Sequence, residues 1–193
     1  MNRCWARWAE EYGITPEEFA RVELHGRPAA EIIGDLLPAA RTPEALARIE
    51  QLEVEDVAGG VVALPGTLAL LAQLPPERWA VVTSATSRLA EARLAEVGIH
   101  PKVLIAADDI TRGKPDPEPF LLAARRLGVD PADCVVFEDA PAGLRSGRAA
   151  GMTTVALTTT HRADELSADV LVEDLSAVSV QATADGLEIV AAG

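Results

Sequence analysis

Residues 113–151, GKPDPEPFLLAARRLGVDPADCVVFEDAPAGLRSGRAAG, predict a helix, a buried strand and a second helix in immediate succession. The apolar run VVF lies between two stretches of helical length, and each stretch ends at a glycine, Gly128 or Gly151, which favours a helix end. Helices on both sides of a short apolar strand are typical of the βα crossovers of a parallel sheet.

The same alternation continues on both sides of this stretch. WAVVTS from Trp79 and KVLIAA from Lys102 predict two earlier strands with a helix between them, and MTTVALT from Met152 predicts a later strand. Further on, VSVQATADGLEIV predicts a hairpin that turns around Asp185 and Gly186. The repeated order of strand and helix indicates an α/β fold with a Rossmann-like parallel sheet core.

The first sixty or so residues differ from this pattern, because they predict short helices only. Trp5, Trp8 and Tyr12 lie at i, i+3 and i+7, so they form an apolar stripe typical of a core-facing helix. Thr15 followed by Pro16 resembles an N-cap that opens a second helix over TPEEFARVEL. We therefore predict two parts, an N-terminal helical cap over 1–62 and an α/β core over 63–193.

The composition excludes several classes of partner. The chain has 193 residues, and its 30 acidic against 17 basic side chains give a net charge of −13, which argues against nucleic acid and anionic membranes. Cys4 and Cys134 form neither a metal-binding spacing nor a disulfide framework, which suits a reducing cytoplasm. No apolar stretch predicts a membrane span, and nothing indicates an obligate protein partner.

Polar side chains follow the predicted strands, and ligands of parallel α/β sheets bind at these carboxyl ends. The Gly- and Pro-rich loop GKPDPEP adds Lys114 just beyond one of them. The side chains at the strand ends are Thr83 and Ser84, Asp108 and Asp109, and Glu138 with Asp139. Of these, Asp108 and Asp109 are predicted to be loop acids, whereas the others are expected to gather at one edge of the sheet.

Each member of this group also has a purely structural interpretation. Ser84 is a good N-cap for the helix that follows it, and Glu138 with Asp139 are suited to cap the next helix and its dipole. Lys114 alone is typical of a solvated surface charge. The order of all of them along the chain favours one shared site, since adjacent carboxylates at the end of a buried strand need a positive partner.

This order resembles the haloacid dehalogenase superfamily of phosphatases and phosphomutases, in which a Ser or Thr, a Lys and an acidic pair form the second, third and fourth motifs. The segments HGRPAAEII, LPPERWAVVTSATSR and 113–151 are similar to the branch of glycerol-3-phosphate, 2-deoxyglucose-6-phosphate and related sugar phosphatases, which also contains β-phosphoglucomutase. The resemblance covers nearly the whole chain, and the long joint match is more specific than any single motif.

The resemblance implies a role for each matching residue. Ser84, with the backbone toward Ala85, and Lys114 would hold the transferring phosphate, while Asp139 and Glu138 would bind Mg²⁺. The implied activity is a Mg²⁺-dependent, cytoplasmic phosphatase of a small phosphorylated sugar or polyol, acting through an aspartyl-phosphate. A phosphomutase of the β-phosphoglucomutase kind is the alternative enzyme.

Further residues are predicted to extend this site. His25 and Arg27, on a loop between cap helices, are placed to reach the polar end of the substrate, and Arg88, one turn beyond Ser84, is placed to add a phosphate contact. His161, after the last core strand, is a weaker candidate. For His25 and Arg27 a capping or surface role is the alternative interpretation, and for Arg88 it is a solvated charge on the helix.

The chain departs from the resemblance at the first motif. No Asp-x-Asp-Gly-Thr stretch occurs in the 193 residues, so the nucleophilic aspartate and the first core strand are predicted to be missing. Two interpretations compete: a truncated chain, or a catalytically dead relative that keeps a phosphate pocket. On either interpretation, we expect the 193 residues alone to be inactive.

Overall fold

The N-terminal part of the protein is helical, as predicted. The computed structural model describes residues 3–22, 27–183 and 186–191, apart from the side chain of Ala182. Thr15 caps the second helix and Glu18 completes the capping box, but this helix ends at Phe19 and is shorter than TPEEFARVEL predicts. The helices are α1 (Arg3–Tyr12), α2 (Pro16–Phe19), α3 (Ala29–Leu36) and α4 (Thr42–Glu55).

These helices enclose a core of their own around Trp8. Trp8 is fully buried, its ring lies 5.3 Å from that of Trp5 in an edge-to-face arrangement, and its Nε1 donates a hydrogen bond of 2.9 Å to the carbonyl of Ala45. Ile33 and Ile49 complete the cluster from α3 and α4. The aromatic stripe of α1 is therefore structural, because the indole N–H is satisfied inside an apolar cluster.

The rest of the chain alternates strands with helices, which confirms the predicted α/β fold. The pairing of the predicted hairpin is confirmed as well, with β6 antiparallel to β7, whereas Asp185 of its turn lies outside the described residues. Strand β5 was not predicted. The strands are β1 (Val81–Val82), β2 (Leu104–Ile105), β3 (Val135–Glu138), β4 (Thr153–Leu157), β5 (Val170–Val172), β6 (Val178–Thr183) and β7 (Gly186–Ala191). The helices are α5 (Thr67–Leu71), α6 (Ser87–Glu96), α7 (Glu118–Leu127) and α8 (Pro141–Ala149).

The parallel strands form two small sheets. One pairs β1 with β2, the other has the order β3-β4-β5, and no ladder joins β1 to β3 in the described part of the chain. Val82 of β1 and Val136 of β3 nevertheless pack against one apolar cluster with Phe120 of α7. The two sheets thus share a helical layer without sharing hydrogen bonds. That a first core strand is missing stays a prediction, as does the domain boundary at residue 62.

The helical part packs on the α/β part mainly through α4 and α6. An ion pair of 3.3 Å joins Glu53 of α4 to Arg93 of α6, and the hydroxyl of Thr86 donates a hydrogen bond to Glu50. This contact leaves a cavity between α3, α4 and the carboxyl ends of the strands. No helix over 3–22, 27–183 and 186–191 is long and apolar enough to cross a membrane.

Candidate active site

The cavity has a volume of about 650 Å³, within the usual range for small-molecule sites. Its upper wall comes from the helical part and its floor from the strand ends, where Ser84, Lys114, Glu138 and Asp139 come together as predicted. The upper wall includes Trp5, Arg27, Ile32, Leu46, Ile49 and Glu50, and the floor adds Phe137, Leu157, Thr159, Thr160 and His161.

Lys114 is anchored between the two sheets. Its side chain is only 10% exposed, its Nζ donates a hydrogen bond of 3.2 Å to the carbonyl of Val82, and it pairs with the carboxylate of Glu138. The ammonium also lies 5.2 Å from the centre of the Phe120 ring. The solvated-surface interpretation of Lys114 is therefore wrong. An ammonium has three N–H donors, and these two bonds leave one for another acceptor.

Glu138 is the last residue of β3 and is as buried as its partner Lys114. Burial raises the pKa of Glu138, whereas the charge and hydrogen bond of Lys114 lower it. Helix α8 lies close to this carboxylate because position 143 is glycine; a Cβ there would stand 2.2 Å from the carboxyl carbon of Glu138. The position of Glu138 thus depends on Gly143, which was not predicted as a site residue.

Asp139 is held by the loop that follows β4. The hydroxyl of Thr160 donates to Oδ2 of Asp139 at 3.0 Å, and Nδ1 of His161 lies 2.9 Å from the Asp139 carbonyl oxygen. The hydroxyl of Thr159 is buried without a hydrogen-bond partner among the described residues. Thr159 and Thr160 were not predicted as site residues. The sequence feature that could have indicated them is the run of threonines at the end of a predicted strand, since ligands bind at this edge of a parallel sheet.

The capping interpretations of the site residues are also wrong. Helix α6 has its N-cap at Thr86, not at Ser84, and helix α8 has its N-cap at Ala140 with no side-chain cap. Ser84 instead lies in the loop after β1 and lines the cavity. The N–H of the neighbouring Ala85 donates to the Thr83 hydroxyl at 3.1 Å, so this amide already has an acceptor.

The second acidic pair has a structural role, as predicted. Asp108 accepts a hydrogen bond of 2.7 Å from the Ser87 N–H at the start of α6, and Asp109 pairs with Arg126 at 2.7 Å. Neither carboxylate lines the cavity. The two carboxylates therefore stabilise the loop after β2 and the helix beside it.

Of the remaining predicted residues, Arg27 lies at the cavity and Arg88 does not. Arg27 lines the cavity, but its guanidinium is already paired with Asp35 at 2.9 Å and with Glu31 at 3.5 Å. Arg88 is exposed and is not among the residues that line the cavity. His25 lies outside the described residues. The roles predicted for these three side chains stay predictions.

The two carboxylates at the floor of the cavity can be compared with the donor set that Mg²⁺ requires. The described residues contain no group of three or more His, Cys, Asp and Glu side chains that could hold a metal by themselves. Mg²⁺ commonly takes only one or two carboxylates and completes its shell with water and substrate phosphate. The adjacent carboxylates of Glu138 and Asp139 fit this donor set, whereas an all-protein metal cage does not fit.

The fold and the cavity define an α/β protein whose polar site lies at the carboxyl ends of parallel strands, under a wall of helices. Residues 2–151 match the sequence profile of the haloacid dehalogenase-like hydrolases. The chain belongs to this family.

Two curated relatives are similar over most of the chain. Hexitol phosphatase A of Escherichia coli K12 is 35% identical over 195 residues, which cover 96% of this chain and 88% of that protein. Validoxylamine A 7'-phosphate phosphatase of Streptomyces hygroscopicus subsp. limoneus is 38% identical, with 92% and 87% covered.

Solved structures show the same architecture. A mutant of CbbY from Rhodobacter sphaeroides, crystallised with xylulose-(1,5)bisphosphate, superposes with a TM-score of 0.78 at 26% identity and covers 90% of this chain and 86% of that one. A hydrolase from Pseudomonas syringae superposes with a TM-score of 0.79 at 23% identity, with 90% and 85% covered. The predicted superfamily is thereby confirmed.

Proposed function

We propose that the site belongs to a Mg²⁺-dependent phosphatase that acts in the cytoplasm on small phosphorylated sugars or polyols. The observation that carries the proposal is Lys114, a buried ammonium held between the ends of β1 and β3 and next to two carboxylates. A cation with a free N–H at the floor of a cavity of this size suits a phosphoryl group. The similarity to hexitol phosphatase A supports a hydroxyl-rich substrate.

The residues of the floor have distinct roles in this proposal. Lys114 and the hydroxyl of Ser84 bind the non-bridging oxygens of the phosphoryl group, and the fixed position of Lys114 orients them. The hydroxyl of Thr159, buried and unpaired among the described residues, donates a further hydrogen bond to the same group. Thr160 and His161 hold Asp139 in place, so they act as positioning residues.

Mg²⁺ would be held by Asp139 and, directly or through water, by Glu138. When bound, the ion neutralises the charge that builds up on the phosphate oxygens during transfer. The ammonium of Lys114 limits the repulsion between the phosphate and the two carboxylates, since all three anionic groups lie within one small cavity.

The 193 residues do not supply the nucleophile, the acid/base aspartate or one of the metal ligands that the family's reaction uses. No two aspartates stand two positions apart in the sequence, so the Asp-x-Asp pair of the family's reaction is absent from it. We propose that these residues bind phosphate and Mg²⁺ and that turnover needs an aspartate brought to the same edge of the sheet.

Binding and turnover are therefore measured separately. Isothermal titration of the chain with inorganic phosphate in the presence of Mg²⁺ is expected to show binding, which Lys114→Met abolishes. Phosphate release from sorbitol 6-phosphate is expected only from a chain extended at its N-terminus by an apolar strand that ends in Asp-x-Asp-Gly-Thr. Absence of phosphate binding by the folded chain contradicts the site, and absence of release by the folded, phosphate-binding extended chain contradicts the phosphatase.

The same extended chain distinguishes a phosphatase from a phosphomutase. With glucose 1-phosphate as substrate, a phosphatase releases inorganic phosphate, whereas a mutase forms an isomeric sugar phosphate without release. We expect release, and accumulation of the isomer as the main product contradicts hydrolysis as the principal activity.

A further inference from the structure

The wall of the cavity that the helical part provides carries a carboxylate, that of Glu50 on α4. Glu50 is half-buried and lines the cavity, and one of its oxygens accepts a hydrogen bond from the hydroxyl of Thr86. Thr86 occupies the N-cap position of α6, at the end of the loop that carries Ser84, and its side chain makes no capping hydrogen bond. The hydrogen bond from Thr86 to Glu50 holds the carboxylate at the interface between the helical part and the α/β part of the protein. A carboxylate has about four acceptor positions, so several remain for a ligand.

The Lys and Arg side chains that line the described part of the cavity are all paired already. Lys114 pairs with Glu138, Arg93 pairs with Glu53 at 3.3 Å, and Arg27 pairs with Asp35 and Glu31. A second phosphate group on a substrate adds nearly two negative charges and needs such donors. Among the described residues, the upper wall offers this group no Lys or Arg whose charge is not already compensated by a carboxylate, and it adds the negative charge of Glu50.

The same wall suits a neutral, hydroxylated chain. Hydroxyl groups donate hydrogen bonds that a carboxylate accepts strongly, because charge-assisted bonds are stronger than neutral ones. Around Glu50 the wall is apolar, with Ile32, Leu46 and Ile49 facing the cavity. These side chains pack against the C–H faces of a polyol while its hydroxyls point to the carboxylate.

We propose that Glu50 is a specificity-determining residue that accepts hydrogen bonds from hydroxyls at the non-phosphorylated end of the substrate and repels a second phosphate. The substrate class is thus a monophosphate of a polyol or sugar, and bisphosphates are excluded. The inference rests on the proposed function, since it requires that the first phosphate binds at Lys114 and Ser84.

The test measures the binding of three probes to the intact chain by titration calorimetry in the presence of Mg²⁺. The probes are inorganic phosphate, sorbitol 6-phosphate and fructose 1,6-bisphosphate. Wild type is expected to bind the sorbitol monophosphate at least about tenfold more tightly than the bisphosphate. Glu50→Gln is expected to weaken the binding of sorbitol 6-phosphate about tenfold and to leave the affinity for inorganic phosphate unchanged. The variant still accepts the Thr86 hydrogen bond through its amide oxygen, so its fold is preserved.

Two further variants separate the local role of Glu50 from general effects. Glu50→Lys is expected to reverse the preference in favour of the bisphosphate, because the wall then carries a free ammonium. Glu55→Gln removes an exposed charge from the same helix and is expected to leave all three affinities within about twofold of wild type. A purely structural role of Glu50 would change the three affinities together, so the ratio between probes is the decisive readout.

The outcomes distinguish this inference from the proposed function. If Glu50→Gln binds sorbitol 6-phosphate as wild type does, while inorganic phosphate still binds, Glu50 does not determine specificity and the phosphate site stands. If wild type binds the bisphosphate as tightly as the monophosphate, the exclusion is wrong. If folded wild type binds none of the three probes, the proposed function itself fails.

Discussion

The helical part and the strand-end edge use charged side chains in opposite ways. In the helices, Glu11 is shared by Arg7 and Arg48 on the surface, and hydrogen bonding to Arg48 lowers the pKa of Glu11 to about 2. At the edge, Lys114 and Glu138 form a buried pair, and burial raises the pKa of Glu138. Water therefore helps to stabilise the charges of the exposed pairs in the helical part. At the strand-end edge, each charge of the buried pair is compensated by its partner instead.

This difference separates the exposed ion pairs of the helical part from the buried ion pair at the floor of the cavity. Exposed pairs contribute little to stability, since water and salt screen them. A buried pair costs desolvation, and well-packed apolar residues often replace it without loss of stability. The buried pair of Lys114 and Glu138 lies at the floor of the cavity, where the proposed phosphate binding would give it a function other than stability.

The largest expected effect comes from breaking the buried pair on one side. Lys114→Met leaves Glu138 buried without a counter-charge and is expected to lower the free energy of unfolding by about 3–5 kcal/mol. Adding Glu138→Met should restore most of this loss, since it removes the stranded carboxylate. Urea denaturation of the two variants measures both effects. Arg3→Met, which breaks the exposed pair with Asp56, is the matched control and should cost much less.

Replacing one glycine in each region by alanine is expected to give the next largest difference in stability. Gly143→Ala places a methyl group against the held carboxylate of Glu138 and is expected to destabilise the protein by about 1–3 kcal/mol. Gly34→Ala, in α3, meets no atom within 4 Å and is expected to stabilise by about 0.5–1 kcal/mol, because alanine favours the helix. Thermal melts of both variants test the contrast, and equal shifts of the same sign would contradict close packing at Gly143.

Thr160→Val tests whether the loop after β4 positions Asp139. Loss of the 3.0 Å hydrogen bond to Oδ2 is expected to weaken Mg²⁺ binding about tenfold, as for other residues that orient a metal ligand. Titration calorimetry with MgCl₂ and phosphate measures the change. Thr183→Val, in the β6–β7 hairpin, serves as the control and should bind as wild type does; equal affinities of the two variants would count against a positioning role for Thr160.

The smallest expected effect is a pH dependence in the helical part. The lowered pKa of Glu11 means that its pair with Arg48 stabilises the protein above the unfolded pKa of about 4.3 and loses this contribution as the pH falls toward 2. Arg48→Met should therefore be less stable than wild type at pH 6, and the difference should shrink steadily below pH 4. Urea midpoints from pH 6 to 2.5 measure it, with exposed Arg125→Met as control. A difference that grows in acid has the wrong sign for this pair.

Local patterns predicted most of the elements. The glycine stops, the strand alternation and the capping box of Thr15 act over a few residues, so the sequence alone locates them. Strand lengths were less predictable: WAVVTS and KVLIAA each give a ladder of only two residues, Val81–Val82 and Leu104–Ile105, because a ladder also depends on its neighbours. Strand β5 is only three residues long and is stabilised by pairing with β4.

The candidate site also has a part that the sequence predicts and a part that it does not. That Ser84, Lys114, Glu138 and Asp139 lie together was predictable, since the carboxyl ends of parallel strands meet at one edge. The parts played by Gly143, Thr160 and Glu50 depend on contacts between segments far apart in the chain, and no local pattern encodes such contacts.

The amino-acid sequence by itself determined the α/β class, the helical N-terminal part and the types of side chain at the strand ends, because these follow from short-range periodicity and chain chemistry. Only the tertiary structure decided which charges are buried, which are paired and which side chains line the cavity. Burial and pairing are set by the packing of distant segments, and they decide whether a charged side chain stabilises a surface or serves a site.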